Sequence, residues 1–209
     1  MTIQPFGDRA LLLNWEQRID PELNATVHAW QQAIQKTQIK GVAYTIPAYC
    51  SLTVVFNPLQ IASATLAERL RNMEVRTDRA DQSGRTFDIP VQYNGSDLSE
   101  VAQRTGLSES RIIELHSNRP YRVYLIGFLP GFPYLGPLPE ALHCPRRSTP
   151  RQSVPSGAVG LAGAQTGIYP FEAPGGWQII GQTQRQVFDA RAEDPFLLRP
   201  GDTVIFKPV

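Results

Sequence analysis

The sequence predicts an α+β protein of two domains, a small α+β sandwich followed by a β-barrel. In the first part, short β-branched and aromatic runs alternate with two amphipathic helical patterns, whereas many short strands and turn signals follow from Phe87 onward. Between these parts, residues 77–86 contain no bulky apolar side chain, so they cannot anchor themselves in a core. We therefore place the domain boundary there and predict domains at residues 1–80 and 86–209.

The first domain opens with a predicted β-hairpin and an amphipathic helix. Strands are predicted at residues 3–6 and 10–15, on either side of the polar turn Gly7-Asp8. A helix is expected next, because Asp20 can cap it and Pro21 suits its first position. Its apolar residues recur at spacings of four, three and four, which places them on one face: Leu23, Val27, Trp30 and Ile34.

Two more strands and a second helix complete the first domain. The β-branched and aromatic runs at residues 42–46 and 52–56 predict the strands, which Pro47 separates. A helix is predicted from about Leu59 to Met73, with its buried side formed by Leu66, Leu70 and Met73.

The second domain begins with a strand, two short helices and a central strand. The first strand is predicted at residues 87–93. Asp97 is expected to start a helix that Gly106 ends, and Ser108 to cap the next helix. An apolar run at residues 121–128 predicts the central strand. The chain closes with a strand, tight turn and strand pattern, at residues 197–206.

Composition excludes several classes of function. Twenty basic against nineteen acidic side chains among 209 residues leave no field that would attract nucleic acid or an anionic membrane. The longest early apolar run, residues 10–13, is too short for a signal peptide or a membrane span, so we expect a cytoplasmic protein. Cys50 and Cys144 show no CxxC spacing, which is typical of reduced thiols in that compartment.

The candidate functional site is the stretch at residues 127–181. It holds ten of the 16 glycines and nine of the 18 prolines, with only two acidic residues. Glycine permits tight turns and close approach to a ligand, while proline fixes φ, so together they indicate rigid loops. Arg146, Arg147 and Arg151 lie among them. We predict an anion or amide pocket.

Common catalytic motifs are absent from the sequence. It contains no GxxxxGK[ST] or GxGxxG phosphate loop, no GxSxG elbow and no HExxH pair. It also contains no cluster of His, Cys or carboxylate residues at metal-ligand spacing. Metal and triad chemistry are therefore disfavoured, and we expect no protein-bound metal.

The arginines give the sharpest positive signal. A guanidinium binds carboxylate or phosphate through two parallel hydrogen bonds, so Arg146, Arg147 and Arg151 could orient an anionic substrate. The alternative is that the segment PRRSTPR forms a solvated surface loop. The surrounding prolines and glycines favour binding.

Polar and aromatic residues nearby could complete the pocket. Gln165 and Tyr169 offer an amide and a phenol beside glycines, suited to a substrate amide, although both could simply belong to a barrel strand. His116 has a near-neutral pKa suited to proton transfer, although a lone histidine is usually structural. Three aromatic residues could wall the pocket or fill the barrel core: Phe132, Tyr134 and Trp177.

Four long segments carry a family resemblance. They read IIELHSNRPYRVYLIGFLPGFPYLG, PRRSTPRQSVPSGAVGLAGAQTGIYP, APGGWQIIGQT and LLRPGDTVIF. This pattern resembles the protein family that contains the 5-oxoprolinase B subunits, the KipI proteins and the first subunits of allophanate hydrolases. The same family is similar to part of the urea amidolyases. The chain departs from the family pattern at three positions, Pro137, Ser156 and Ala173.

The resemblance implies a fold and a reaction. It implies a ferredoxin-like N-terminal α/β sandwich and a cyclophilin-like β-barrel. It also implies a hydrolase that opens 5-oxo-L-proline to L-glutamate with ATP as co-substrate, and with Mg²⁺ supplied at the level of the complex. The implied partners are a C subunit of the same family and an A subunit of a different fold, without which the chain would be inactive.

The resemblance also frames the roles of the candidate residues. Under it, Arg147 and Arg151 contact carboxylate or phosphate, while Gln165 and Tyr169 contact the ring amide. His116 would transfer a proton. The alternatives are a KipI-type inhibitor that docks on a sensor histidine kinase, and a component of an enzyme that acts on a urea-derived amide.

Overall fold

The chain divides into two compact units, Met1–Gln82 and Ser83–Val209. The computed structural model describes residues 1–75 and 84–209. Most of the predicted boundary segment, residues 77–86, lies outside the described residues. Each unit has its own apolar core.

The first unit is a four-stranded antiparallel sheet with two helices, in the strand order β1-β2-β4-β3. The Asp20 side chain accepts a hydrogen bond from the Leu23 N–H at 2.9 Å, and Pro21 is the first helical residue, which confirms the predicted helix start. The elements are β1 Thr2–Pro5, β2 Ala10–Asn14, α1 Pro21–Thr37, β3 Val42–Pro47, β4 Ser51–Phe56 and α2 Ser63–Arg71.

The second helix is shorter than predicted. The sequence pattern predicts its start near Leu59, but α2 begins at Ser63. The Asn57 side chain accepts from the Leu59 N–H at 3.0 Å, while the Asn57 carbonyl accepts from Gln60 at 2.9 Å. Asparagine favours such turns because its side chain satisfies the backbone locally, so this turn delays the helix.

The connection through α1 is a split β-α-β arrangement. It joins β2 and β3, which run in the same direction because β4 lies between them and is antiparallel to both. Such an arrangement occurs in ferredoxin-like folds. The element order here is β-β-α-β-β-α. The unit is α+β, and its ferredoxin-like assignment stays a prediction.

The second unit is a curled seven-stranded sheet with two helices and a two-stranded ribbon. The sheet order is β12-β9-β10-β7-β6-β13-β5, and β8 pairs with β11 in the ribbon. The elements are β5 Thr86–Val91, α3 Leu98–Thr105, α4 Glu109–Ser117, β6 Pro120–Ile126, β7 Pro133–Gly136, a 3₁₀ helix Glu140–Leu142, β8 Arg151–Val154, β9 Ala158–Ala162, β10 Gln165–Ile168, β11 Ala173–Gly175, β12 Gln178–Gln182 and β13 Thr203–Pro208.

The two outermost strands of this sheet, β5 and β12, are joined by backbone hydrogen bonds near their C-terminal ends. Gln92, just after β5, and Gln182 of β12 exchange two backbone hydrogen bonds of 2.9 and 2.8 Å. This bridge links the first and last strands of the order and curls the sheet. The unit therefore has the curled antiparallel sheet expected of a barrel, with β5 and β13 as a parallel pair.

One predicted strand is wrong. Residues 197–198 form no strand, although Leu198 is buried. The Asp202 carboxylate accepts from the Arg199 N–H and from the Arg85 N–H, both at 2.8 Å. These bonds stabilise a turn just before β13, and the segment from Leu197 to Pro200 forms a loop in which only Leu198 is buried.

The curled sheet has an apolar residue layer on each face. Val159, Leu161 and Ile168 belong to the main core that α3 and α4 also enter. Their strand neighbours Ala158 and Ala162 belong to a second cluster on the opposite face, because successive side chains alternate. This second face carries the candidate site. Among the described helices, none is long and apolar enough to cross a membrane.

Candidate functional site

The three predicted wall residues meet in one aromatic cluster on the second face of the sheet. Phe132 is its centre, with edge-to-face contacts to Tyr134 at 5.0 Å, Tyr169 at 5.1 Å and Trp177 at 5.2 Å between ring centroids. Phe132 and Tyr169 are fully buried. Edge-to-face pairs stabilise by about 0.5–1.5 kcal/mol each beyond their buried area. The cluster is therefore a packed second core that ends at a partly exposed ring, Tyr134.

Two glycines make room for this cluster. A Cβ at Gly167 would lie 2.8 Å from Cζ of Phe132, and a Cβ at Gly175 would overlap the Tyr169 hydroxyl. Both positions are closer than van der Waals contact allows, so any larger residue would displace the rings. This close approach explains part of the glycine richness of the stretch.

Arg147 and Arg151 converge on one buried carboxylate. Asp97, whose side chain is 3% exposed, accepts from Arg151 and, at 3.1 Å, from Arg147. The other oxygen of Asp97 accepts from the Ile179 N–H at 2.6 Å. Arg147 also contacts Glu100 at 3.3 Å. The carboxylate thus pairs with both guanidinium groups from within the chain, while the buried Nε of Arg147 has no hydrogen-bond partner among the described residues.

This network bears on the prediction that Arg147 and Arg151 bind a substrate anion. The sequence predicts that Arg147 and Arg151 hold a substrate anion, but their donors face Asp97, which lies about fifty positions earlier in the sequence. Asp97 was expected only to start a helix, and it occupies the cap position of α3 without a capping hydrogen bond. No sequence spacing signals such a distant pairing. The roles of both arginines toward a substrate stay predictions.

Arg146 differs from its two neighbours. It is exposed, and it forms no ion pair with any residue in the described part of the chain. Its guanidinium lies near the Tyr134 phenol: burial raises the pKa of Tyr134, and nearby Arg146 lowers it in part. The third arginine of the segment therefore lies at the aromatic cluster.

The Tyr169 hydroxyl is buried beside the same arginine. Burial raises the pKa of Tyr169, and the Trp177 backbone and the charge of Arg146 lower it in part. The Trp177 backbone is close enough to have this effect, but no described group meets hydrogen-bond geometry with the hydroxyl. A buried polar group without a partner costs about 1–3 kcal/mol, so this hydroxyl lowers the stability that the aromatic cluster contributes.

His116 lies on the other face of the sheet, away from the aromatic cluster. It is fully buried, and it stacks on Phe206 with ring centroids 4.5 Å apart. The Tyr93 hydroxyl lies 2.7 Å from its Nδ1, and the Thr166 hydroxyl lies 2.9 Å from its Nε2. Burial lowers the pKa of His116 to about 3.

The hydrogen bonds fix the form of this histidine. The Thr166 hydroxyl donates to the Gly160 carbonyl at 3.0 Å, so it must accept the proton of His116 Nε2. Nδ1 then accepts from the Tyr93 hydroxyl. A neutral imidazole with both nitrogens engaged favours a structural role, and proton transfer by His116 stays a prediction.

Gln165 is half-buried at the start of β10, on the face opposite to its neighbour Thr166. A strand advances about 3.3 Å per residue, so Gln165 and Tyr169 lie roughly 13 Å apart along the backbone. The backbone positions of the two residues are therefore well separated, while alternation along β10 places both on the cluster face.

No metal site is formed by the residues described here. Nowhere in residues 1–75 and 84–209 do three or more His, Cys, Asp or Glu side chains come together. The two cysteines are free thiols, and burial raises the pKa of Cys144 to about 11.

Comparisons with known proteins identify the family of this chain. A family model described as the carboxyltransferase domain, subdomain C and D, matches residues 1–198. The chain is 42% identical to the B subunit of 5-oxoprolinase from Escherichia coli O157:H7, over 97% of this chain and 94% of that protein.

Two solved structures share the fold. The crystal structure of TTHA0988 matches with a TM-score of 0.85 and 40% identity, over 96% of this chain; the chain spans only 40% of that protein. The urea amidolyase of K. lactis matches with a TM-score of 0.81 over 99% of this chain and 15% of that protein. At 19% identity the second match shows the fold alone. The chain belongs to the family of 5-oxoprolinase B subunits, built on the carboxyltransferase subdomains C and D.

Proposed function

We propose that this chain is the B subunit of an ATP-dependent 5-oxoprolinase complex that converts 5-oxo-L-proline to L-glutamate. The observation that carries the proposal is the 42% identity to a protein named as the B subunit of 5-oxoprolinase, over nearly the full length of both chains. The alternative, action on a urea-derived amide, has weaker support: the fold shared with urea amidolyase at 19% identity, and 32% identity over 52% of this chain to the urea amidolyase of Saccharomyces cerevisiae.

The chemistry explains the need for ATP. A lactam is resonance-stabilised, so its carbonyl carbon resists attack by water. Transfer of the γ-phosphoryl group to the lactam oxygen makes that carbon electrophilic; water then attacks, the C–N bond breaks and the nitrogen takes a proton. Hydrolysis of the acyl phosphate completes the conversion, so ATP and two waters yield glutamate, ADP and phosphate. Positive groups would stabilise the charge that develops.

The nucleotide belongs to the complex in this proposal. The described residues offer no three-ligand cluster for Mg²⁺, and the sequence has no phosphate-cradling loop. We assign ATP and its Mg²⁺ to the assembled enzyme, with a related C subunit and an A subunit of a different fold. The length relations support an assembly, because the matching part is only 40% of TTHA0988 and 15% of the urea amidolyase.

The proposal also assigns roles to the two units and to the candidate site residues. The second unit would be the cyclophilin-like domain that bears the substrate site, the first a ferredoxin-like domain, and the complex would work in the cytoplasm. Within the site, Arg147 and Arg151 would supply positive charge while Asp97 holds them in place. Gln165 and Tyr169 would contact the ring amide, and Phe132, Tyr134 and Trp177 would form its wall.

Reconstitution tests this proposal. The chain is mixed with the partner subunits, and glutamate release from 5-oxo-L-proline and ATP is measured for the mixture and for each component. We expect release only from the mixture. Robust turnover by the isolated chain would contradict the dependence on partners. An inactive mixture, together with a stable complex between this chain and a sensor histidine kinase, would instead favour the inhibitor.

A further inference from the structure

Tyr93, His116 and Thr166 form one chain of hydrogen bonds on the main-core face of the curled sheet. The Tyr93 hydroxyl donates to His116 Nδ1 at 2.7 Å, and His116 Nε2 donates to the Thr166 hydroxyl at 2.9 Å. That hydroxyl in turn donates to the Gly160 carbonyl at 3.0 Å. His116 and Thr166 are fully buried, so the loss of one bond would leave a buried polar group unpaired.

This chain of hydrogen bonds ends where β12 is bulged. Gly160 of β9 pairs with Ile179 of β12, and the register shifts between Ile179 and Gly181. The carbonyls of Ile179 and Ile180 both accept hydrogen bonds from the segment at residues 92–97, at 2.9 and 3.1 Å. Consecutive carbonyls of a regular strand point to opposite sides, so this double contact depends on the bulge.

The segment at residues 92–97 carries both Tyr93 and Asp97. It lies directly against β12, because a Cβ at Gly95 would come within 2.3 Å of the Ile179 carbonyl oxygen. The Asp97 N–H donates to that oxygen, and the Asp97 carboxylate accepts from the Ile179 N–H at 2.6 Å. The contacts therefore close a ring that runs from Tyr93 through His116 to β9 and β12, and returns along the segment.

Asp97 is the point at which this ring meets the arginines of the candidate site. The other oxygen of its carboxylate accepts from Arg147 at 3.1 Å and from Arg151. Both backbone groups of Ile179 that bind Asp97 lie at the bulge, so the bulge determines where the carboxylate lies. A shift of the bulged strand would therefore move both guanidinium groups.

We propose that His116 is a positioning residue of the substrate site, which fixes the bulge of β12 and thereby the carboxylate of Asp97. It acts through its hydrogen bonds with Tyr93 and Thr166, and not by transferring a proton. This inference rests on the proposed function, in which the two arginines on Asp97 supply positive charge. Removal of the Thr166 hydroxyl should therefore impair the site from the opposite face of the sheet.

Steady-state kinetics of the reconstituted complex test this role. Thr166→Val keeps the shape of the side chain but removes the hydroxyl, whereas Thr166→Ser keeps the hydroxyl. The matched control is Ile112→Val, a change at a buried position of α4, the helix that carries His116. We expect Thr166→Val to lower kcat/KM for 5-oxo-L-proline about tenfold, which corresponds to the loss of one hydrogen bond. The serine variant and the core control should retain the wild-type value, and an equal loss in either would overturn the assignment.

His116→Gln distinguishes positioning from proton transfer. The amide of glutamine can donate to the Thr166 hydroxyl, but it does not exchange a proton at neutral pH. A positioning role predicts a loss of kcat no greater than about tenfold, since the donor is kept. Proton transfer predicts a loss of kcat of about a hundredfold or more, and that result would overturn the assignment.

Nuclear magnetic resonance of the arginine side chains in the full isolated chain separates this inference from the proposed function. The hydrogen bonds of Arg147 and Arg151 with Asp97 restrict rotation of the guanidinium groups, so their Nη protons should give resolved signals. Thr166→Val should shift or broaden these signals, whereas the serine variant and the core control should not. If the wild-type complex does not turn over 5-oxo-L-proline, the proposed function fails, and these spectra alone decide on the positioning role. Arginine signals that do not change in Thr166→Val would overturn it, as would an active complex whose kcat/KM that variant leaves unchanged.

Discussion

The carboxylate of Asp97 accepts a hydrogen bond from the Ile179 N–H at 2.6 Å, while the Asp97 N–H donates to the Ile179 carbonyl at 2.9 Å. This two-way contact ties the start of α3 to β12. Because the same carboxylate also receives Arg147 and Arg151, one buried residue connects a helix, a strand and the arginine segment.

We predict that Asp97→Asn destabilises the protein strongly. The substitution keeps the shape of the side chain but removes the charge that two partly buried arginines require, and breaking a buried ion pair costs about 3–5 kcal/mol. Chemical denaturation followed by fluorescence should show the loss. The control is Asp194→Asn, which breaks the surface pair with Arg199 at 2.7 Å and should change little. Equal stability of the two variants would show that Asp97 is dispensable.

A second prediction distinguishes the arginines by stability. Arg151→Lys keeps the charge but loses the planar fork that reaches Asp97, Ser96 and the Trp177 carbonyl, so it should lower the free energy of unfolding by about 1–3 kcal/mol. Arg146→Lys, at an exposed position without a carboxylate partner in the described chain, should unfold as the wild type does. If Arg151→Lys were as stable as Arg146→Lys, the network around Asp97 would not support the fold.

The local helix signals in the sequence match the structure closely. Asp20 and Pro21 start α1, and Ser108 caps α4 through the Arg111 N–H, as predicted. These features depend on neighbours within three or four residues, so the sequence alone determines them. The α+β class follows from the same local patterns.

The site could be predicted only in part, because its contacts are distant in sequence. Glycine and proline richness identifies the stretch in which three of the candidate aromatic residues meet. The pairing of Arg151 with Asp97 joins positions 54 residues apart, and no local pattern signals it. Likewise, Gln165 and Thr166 are adjacent in sequence, yet their side chains face opposite sides of the sheet. The sequence therefore could not predict that His116 forms its hydrogen bond with Thr166.

A third prediction concerns acid. Burial lowers the pKa of His116 to about 3, whereas an unfolded histidine titrates near 6.5. Below that upper value the unfolded chain binds a proton that the folded chain does not, so stability falls as pH falls from 6.5 toward 3. Between pH 7.5 and pH 5, this one group should lower the free energy of unfolding by about 2 kcal/mol.

Denaturation of the wild type and His116→Gln at several pH values measures this contribution. The amide of glutamine does not titrate in this range, so the variant should be less stable at pH 7.5 but should lose about 2 kcal/mol less than the wild type on acidification to pH 5. The other histidines remain in both proteins, so their effects cancel in the comparison. Parallel pH profiles would show that His116 is not kept neutral by its surroundings.

A fourth prediction tests the close approach of Gly175 to Tyr169. Gly175→Ala should destabilise by about 1–3 kcal/mol, because the new methyl would overlap the hydroxyl and lie 2.7 Å from Cζ. Tyr169→Phe removes the hydroxyl but keeps the ring. The double variant should therefore recover part of the loss, and a double-mutant cycle by thermal or chemical unfolding measures this coupling. Strictly additive effects would contradict the contact.

The last prediction concerns the strained turn at Phe128. The Leu129 N–H donates to the Gly127 carbonyl at 2.8 Å, so Phe128 is the middle residue of a γ-turn with φ at +68°. Such a turn is strained for any residue with a Cβ, at about 1–2 kcal/mol. Phe128→Ala removes the exposed ring and keeps this strain, whereas Phe128→Gly removes both.

The two variants should therefore differ in stability. Phe128→Gly should unfold at higher denaturant than Phe128→Ala, by about 1 kcal/mol, because glycine adopts positive φ without a steric penalty. Chemical denaturation curves of the two variants measure this difference. A glycine variant less stable than the alanine variant would show that the turn is not strained.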